Sequence, residues 1–135
     1  MTTTTTNPTL FHTLRANDAS ALIAYLVRTF GFVESVTYRD DAGKVAHAEL
    51  NWPEGHGGVM LGDHRPDTTW SLRPGSAGCY VVTSDPDALY ARVVDAGAEV
   101  IRPLEDTEYG SREFAVRDPE GNLWSFGSYG GHTGD

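Results

Sequence analysis

Hydrophobic and polar residues repeat the same order of patterns twice along the chain. In the first copy, residues 9–15 alternate as in a strand, and residues 19–30 place apolar side chains at the spacing of an amphipathic helix. Asn17 or Asp18 is the expected N-cap of that helix, and Gly31 its end. Alternation then resumes and predicts three more strands, at residues 32–40, 45–52 and 57–63.

The second copy keeps this order. Residues 79–85 have the pattern of a strand, and Asp85 and Pro86 begin a helix that Gly97 ends. Asp18 and Asp85 lie 67 positions apart, and the two helix-ending glycines lie 66 apart. Because these two spacings differ by only one residue, the chain is expected to contain two copies of one βαβββ unit. The last three predicted strands are at residues 99–106, 112–118 and 122–129.

These patterns divide the chain into five parts. Residues 1–8 and 130–135 lack periodicity and are expected to be a disordered tail and a flexible tail. The modules occupy residues 9–63 and 79–129, joined by a connection at 64–78. One module alone would leave a sheet face uncovered, so the two are expected to pack together. The predicted fold class is α+β, with two βαβββ modules forming curved mixed sheets around a cavity and helices outside.

The charge and the cysteine content narrow the partners and the location. The formal net charge is −9, which disfavours nucleic acid and anionic membrane as partners. No stretch approaches the ~18 consecutive apolar residues of a membrane span, and the beginning lacks the pattern of a secretory signal. The single cysteine, Cys79, excludes an internal disulfide. A reducing cytoplasm is therefore the expected location.

Three segments together carry a family resemblance: DASALIAYLVRTFGF at 18–32, DAGAEV at 95–100 and VRDPEGNLWSFG at 116–127. They resemble the vicinal oxygen chelate superfamily, which includes glyoxalase I, extradiol dioxygenases, fosfomycin-resistance enzymes and bleomycin-resistance proteins. The resemblance implies the glyoxalase/bleomycin-resistance fold, with a cavity on the concave side of each sheet. It also implies a homodimer, in which sheets of two subunits face each other.

The metal-using members of that superfamily place four ligands, mostly His and Glu, in the cavity. The resemblance puts the corresponding positions at Phe11, Met60, Cys79 and Ser125. His12 is one residue away from the first position, and a shift of one residue turns a strand side chain to the other face. One soft thiol among apolar neighbours does not hold a hard divalent ion. The resemblance therefore predicts neither a metal site nor a cofactor here.

The third predicted strand offers polar candidates instead. Its alternation points Val45, His47, Glu49 and Asn51 toward the cavity, and His47 and Glu49 are two positions apart on one face. This pair is a candidate ligand anchor or a candidate catalytic acid and base. A relocated metal site would need a further ligand besides that pair. The candidates for this further ligand are His12, His56 and Glu113.

Aromatic residues divide in the same way. Phe11 on the cavity side and Trp70 in the connection are candidates to stack on a planar ligand, whereas Trp52, Tyr80 and Trp124 are expected in the core. The complete predicted ligand-binding set is Phe11, Arg15, His47, Glu49, Asn51, Met60, Trp70, Cys79, Glu113 and Ser125.

Three functions fit these features. The favoured one is a metal-free, homodimeric binding protein of the bleomycin-resistance type, which sequesters a small aromatic or cationic molecule such as an antibiotic or an aromatic metabolite. The second is a divalent-metal-dependent lyase, isomerase or dioxygenase with relocated ligands. The third is a metal-free enzyme that uses His47 and Glu49 as acid and base. The favoured function is not enzymatic, and if the chain is an enzyme, the expected class is a glyoxalase-like lyase or a related enzyme of the resembled superfamily.

Overall fold

The computed structural model describes residues 7–132. Two tails were predicted, at residues 1–8 and 130–135. Of these, positions 1–6 and 133–135 lie outside the described residues. The first module contains β1 (Leu10–Ala16), α1 (Ala19–Tyr25), a π-helical segment (Leu26–Phe30), β2 (Val33–Arg39), β3 (Val45–Asn51) and β4 (Gly57–Asp63). The second contains β5 (Gly78–Val82), α2 (Pro86–Asp95), β6 (Glu99–Asp106), β7 (Arg112–Arg117) and β8 (Leu123–Gly127).

Each module forms one open four-stranded sheet, and the two sheets have the same topology. The strand orders are β1-β4-β3-β2 and β5-β8-β7-β6. In each sheet the first and last strands of the module pair in parallel, and the other pairs are antiparallel. The predicted α+β class with two βαβββ modules is thus confirmed. Within residues 7–132, no helix combines the length and the apolar character that a membrane crossing needs.

The helices begin and end where the capping residues predict. Asp18 and Asp85 each accept a hydrogen bond from the backbone N–H three positions later, at 3.1 Å in both modules. The first helix differs from the expected continuous α-helix, because its last turn widens into the π-helical segment. Gly31, with a φ of 90°, ends this segment in the left-handed conformation that glycine adopts without strain.

One hydrophobic core joins the helix-covered faces of the two sheets. Phe30 at the end of the π-helical segment packs against Trp124 and Phe126 of β8, with ring centroids 5.4 and 4.8 Å apart. Phe32 reaches Trp124 as well, at 5.7 Å. The apolar side chains that each module presents are therefore buried by the other module. On the opposite face of each sheet lies no helix from the described residues 7–132, and we call it the open face.

Two buried carboxylates hold the turns in place. Asp118, 3% exposed, accepts hydrogen bonds from the backbone N–H groups of Glu120 and Asn122 and from the side chains of Asn122 and Trp124, at 2.8 to 3.0 Å. Asp63 accepts from the backbone N–H groups of Ala19 and Val45, at 2.9 and 2.7 Å. These contacts satisfy donors that burial would otherwise leave unpaired. The motif Asp-Pro-Glu-Gly thereby fixes the indole of Trp124 in the core.

A β-bulge in β3 gives Val45 a different orientation from the expected one. Tyr38 pairs with His47 and Arg39 pairs with Val45, so Ala46 is an extra residue in β3. The bulge reverses the alternation before it, and Val45, expected toward the cavity, is fully buried in the core. His47 and Glu49 lie beyond the bulge and keep the predicted face.

Candidate ligand-binding site

The open face of the first sheet brings together residues from β1, β3 and β4. Arg15 pairs with Gly62, Thr13 pairs with Met60, and Met60 pairs with Glu49 on its other side. Side chains in paired positions share a face, so these rows run across the sheet. The connection between the modules adds Trp70, whose side chain is 54% exposed. A cavity of about 250 Å³ is lined by Thr13, Leu14, Arg15, His47, Met60, Leu61 and Trp70.

Two glycines of β4 give the longer side chains of β1 room to lie across the sheet. A Cβ atom on Gly62 would lie 2.5 Å from Nη1 of Arg15, and one on Gly58 would lie 2.7 Å from the ring of Phe11. Both distances are shorter than real contacts allow. Arg15 and Phe11 therefore cover bare backbone on β4, and Arg15 reaches the cavity wall.

His47 and Glu49 form the hydrogen-bonded pair that their spacing predicts. Nε2 of His47 lies 2.8 Å from Oε2 of Glu49, and both side chains are partly exposed. The ring of Tyr38 on β2 stacks on His47, with centroids 6.5 Å apart. The imidazole is thus oriented from two sides, which is the usual arrangement for a residue that must present one ring nitrogen in a fixed direction.

The open face of the second sheet centres on Glu113 of β7. Its side chain accepts hydrogen bonds from Tyr109 Oη at 2.8 Å and from Tyr80 Oη at 3.1 Å, and Nη2 of Arg102 lies 3.6 Å away. Arg102 also donates to Oγ of Ser125, at 3.3 Å. Glu113 and Ser125 therefore share this face as predicted, but they lie on a different sheet from Arg15 and His47.

Glu113 is 2% exposed, yet it is held as a carboxylate. Burial raises the pKa of Glu113, but hydrogen bonds from Tyr109, Ser111 and Tyr80 and the charge of Arg102 outweigh burial, so that its pKa lies below the ordinary value. Both oxygens already accept hydrogen bonds from within the chain. Glu113 is consequently less available to a ligand than its place in the predicted ligand-binding set implied.

The expected orientation of Cys79 is wrong. Cys79 pairs with Trp124 and packs against the core, whereas its neighbour Tyr80 pairs with Ser125 on the open face. Tyr80, expected in the core, is 42% exposed and donates to Glu113. A shift of one position exchanges the two faces of a strand, and β5 has apolar residues on both faces, so its own alternation gives little guidance.

A second cavity, of about 270 Å³, lies between the two sheets beside the edges of β1 and β5. It contains Cys79, Trp52 and His12, and the His12 ring packs edge-on against Trp124 with centroids 5.7 Å apart. Nε2 of His12 is buried and has no hydrogen-bond partner among residues 7–132. This cavity is mostly apolar and holds neither of the charged residues, Arg15 and Glu49, that mark the first sheet.

The environment of Cys79 predicts a thiol that is alkylated slowly. Burial raises the pKa of Cys79 from 9.0 to about 11. The thiolate is the reactive form, so at about pH 8 its population is roughly a hundredfold below that of a free cysteine. We expect iodoacetamide to alkylate the folded chain about a hundred times more slowly than the urea-unfolded chain. Similar rates for the folded and unfolded chains would contradict this assignment.

The burial of His12 predicts that the folded chain loses stability in acid. Burial lowers the pKa of His12 below 6.5. The unfolded chain therefore binds the His12 proton at a higher pH than the folded chain does, so the stability linked to neutral His12 is complete above the unfolded pKa and falls as the pH drops below it. In urea titrations, the wild type should lose more free energy of unfolding than His12→Phe between about pH 7.5 and 5.5. Equal losses in both proteins would contradict this linkage.

The positions that correspond to the family's metal ligands do not suit a divalent ion. Phe11 and Met60 offer no hard donor, Ser125 is engaged by Arg102, and Cys79 lies on the other side of its strand. His47 and Glu49 supply two possible ligands. No group of three His, Cys, Asp or Glu side chains with metal-binding geometry occurs within residues 7–132. The described donor set therefore does not fit the ion that the metal-using members hold.

Comparison with known proteins agrees with this architecture. The profile of the Glyoxalase/Bleomycin resistance protein/Dioxygenase superfamily matches residues 9–126. The chain belongs to this superfamily. A superfamily relative from Mycobacterium bovis, an uncharacterized protein, is 37% identical over 127 residues, which cover 89% of this chain and 82% of the relative.

Two solved structures share the fold over most of this chain. TioX from Micromonospora sp. ML1 is 31% identical, with a TM-score of 0.76 over 91% of this chain and 98% of TioX. TnmS3 from Streptomyces sp. CB03234, an antibiotic binding protein, has a TM-score of 0.71 at 20% identity, over 93% of this chain and 97% of TnmS3. At that identity, TnmS3 establishes the fold alone.

The structure places most of the predicted site residues on the open face of the first sheet. Arg15, His47, Met60 and Trp70 surround one cavity, and Glu49 is bonded to His47. Phe11 and Asn51 lie on the same face, beside Gly58. Sequence reasoning missed Thr13, which lies between Phe11 and Arg15 on the same face of β1 and could have been found by alternation. It also missed the partners of Glu113, which come from three separate segments and have no shared pattern.

Proposed function

We propose that this chain is a metal-free protein that binds a small aromatic molecule on the open face of its first sheet. The observation that carries the proposal is the cavity where Arg15, His47 and Met60 meet the exposed indole of Trp70. Ligand pockets typically combine apolar walls with a few convergent polar groups. Trp70 and Met60 supply apolar surface, and Arg15 and His47 supply polar groups at the same place.

The proposed role is sequestration of an antibiotic or an aromatic metabolite. It is supported by the fold shared with TnmS3, an antibiotic binding protein. It is also supported by the metal-ligand positions, which hold Phe11, Met60 and Ser125 in place of acidic or imidazole donors. A protein that only binds has no need for the Lewis acid that the metal-using members employ.

We propose further that two copies of the chain close the site between them. The open faces leave large apolar or aromatic side chains exposed, including Tyr38 at 59% and Trp70 at 54%. Exposed apolar surface of this kind is typical of an interface or a ligand groove. Light scattering should give twice the monomer mass, and a monomer at all working concentrations would contradict a dimer.

Calorimetric titration with a panel of aromatic antibiotics tests the proposed function. The panel should include glycopeptide, quinone and enediyne compounds, and the protein should be treated with a chelator before use. We expect a dissociation constant in the micromolar range or below for at least one class, about −8 kcal/mol or more favourable. Silence across the panel, together with a stoichiometric divalent ion in the untreated protein, would favour the metal-dependent alternative.

A second function is favoured by one observation, the 2.8 Å contact between His47 and Glu49. Such a pair can transfer a proton to or from a bound substrate without a metal. If an activity is found, His47→Ala and Glu49→Gln should each abolish turnover and leave the free energy of unfolding unchanged, because both side chains are partly exposed. Activity that survives both changes would leave binding as the function.

A further inference from the structure

Arg15 is a cation without a counterion on the described part of the chain. Its Nε atom is buried and has no hydrogen-bond partner among residues 7–132. None of the salt bridges within that range includes Arg15. A guanidinium that loses water to burial is normally compensated by an acceptor. The half-buried guanidinium therefore has hydrogen-bonding capacity that no residue within 7–132 uses.

The guanidinium is held at the wall of the cavity. Nη1 of Arg15 lies over Gly62, where any side chain would meet it at 2.5 Å. His47 and Trp70 line the same cavity. An arginine fork matches a planar oxyanion with two parallel hydrogen bonds, which an ammonium group cannot provide. Its position beside an exposed indole favours a ligand that carries the anion on a flat apolar body.

Glu49, the acidic member of the predicted set on the first sheet, forms no salt bridge with Arg15 within residues 7–132. Glu49 is hydrogen-bonded to His47 at 2.8 Å, so its charge is directed to the imidazole. The net charge of −9 is distributed over the whole chain and is screened beyond about 10 Å at moderate salt. Direct contact with Arg15 thus outweighs the overall charge in selecting a ligand. The guanidinium of Arg15 therefore favours an anionic ligand, whereas the negative net charge of the chain favours a cationic one.

We infer that the ligand is a flat aromatic carboxylate whose carboxylate binds Arg15 and whose ring packs on Trp70 and Met60. The inference rests on the proposed function and adds the charge and shape of the ligand. Its two parts have separate chemical origins, because the ring requires the apolar wall and the carboxylate requires the guanidinium. They can therefore be tested with probes that share a ring and differ in charge.

Three naphthalene probes separate the two contributions: naphthalene-2-carboxylate, naphthalene-2-carboxamide and 2-naphthylmethylammonium. Each is titrated calorimetrically into the full-length, chelator-treated protein. We expect the carboxylate to bind about tenfold more tightly than the carboxamide, since a charge-assisted pair is stronger than a neutral one. The ammonium probe should bind most weakly, because Arg15 repels it.

Variants of Arg15 show whether this residue selects the carboxylate. Arg15→Met keeps an unbranched side chain and removes the charge, so the carboxylate should lose about tenfold in affinity while the carboxamide changes less than about twofold. Arg15→Lys should recover only part of the loss, because it lacks the fork. Arg28→Met, at an exposed position on the π-helical segment, removes the same charge elsewhere and should change neither affinity. Thermal unfolding confirms that each variant is folded.

The outcomes distinguish this inference from the proposed function. If the carboxamide binds as tightly as the carboxylate, or if Arg15→Met weakens both equally, the aromatic site stands and the carboxylate assignment is wrong. Tightest binding of the ammonium probe also contradicts the assignment. If none of the three probes binds the wild type, the cavity is not an aromatic site, and both the inference and the proposed location fail.

Discussion

Replacing Asp118 with alanine should destabilise the fold by about 3 kcal/mol, the largest change in stability that we expect from a single polar substitution in this chain. The Asp118 carboxylate is 3% exposed and accepts four hydrogen bonds, one of them from the indole of Trp124. Its removal leaves several donors buried without an acceptor, and each costs about 1–3 kcal/mol when unsatisfied. It also releases the turn that orients Trp124 between the two modules.

Urea unfolding followed by circular dichroism measures this effect. Asp41→Ala is the matched control, because Asp41 lies exposed in the turn between β2 and β3. It should change the free energy of unfolding by less than about 0.5 kcal/mol. A loss below about 1 kcal/mol for Asp118→Ala would show that water replaces the carboxylate and that the turn does not hold the indole.

Replacing Trp70 with alanine should weaken the binding of naphthalene-2-carboxylate by about thirtyfold, or about 2 kcal/mol. Trp70 is the exposed aromatic wall of the cavity, and its indole is the largest flat side chain among the lining residues. Because Trp70 is 54% exposed, the same change should alter the free energy of unfolding by only about 0.5 kcal/mol. The substitution should thus lower the affinity for the ligand and leave the free energy of unfolding nearly unchanged.

Leu72→Ala provides the control for Trp70. Leu72 lies in the same connection and is 42% exposed, but it does not line the cavity. Its replacement should leave the affinity within about twofold of the wild type. Trp70 is also the most exposed of the three tryptophans, so naphthalene binding should quench mainly its emission. Equal affinity in Trp70→Ala and Leu72→Ala would place the aromatic ring elsewhere.

The fold was predictable because its signals are local and occur twice. The capping aspartates Asp18 and Asp85 and the terminal glycines mark both helices, and alternation marks the strands between them. The turn that begins at Asp118 predicts the last strand in the same way. Each of these features depends on a few neighbouring residues, so it can be recognised without knowing what packs against it.

The two faces of β5 could not be predicted from the sequence as reliably as those of β1 and β3. In β1 and β3, polar and apolar residues alternate, and the predicted faces of Phe11, His47 and Glu49 agree with the register. In β5, apolar residues occur on both faces, so Cys79 and Tyr80 were exchanged. The bulge at Ala46 has a similar effect on Val45, because an extra residue reverses the faces on one side of it.

The chemistry of the site depends on contacts that no local pattern encodes. The pKa of Glu113 is lowered by donors from β5 and from the turn before β7, and their convergence is a property of the folded sheet. Likewise, that Nε of Arg15 has no hydrogen-bond partner among residues 7–132 follows from what the fold leaves around it. A sequence shows that an arginine is present, but only the structure shows whether its charge is already compensated.

The most direct test of the account is a two-dimensional NMR titration of naphthalene-2-carboxylate into the chelator-treated wild-type chain. We expect the largest chemical-shift changes at the backbone amides of Thr13, His47 and Met60 and at the indole N–H of Trp70. Adding Zn²⁺ should leave these changes unaltered. Shifts confined to the second sheet around Tyr80 and Glu113, or to the cavity between the sheets, would contradict it. So would shifts that appear only after a divalent ion is restored.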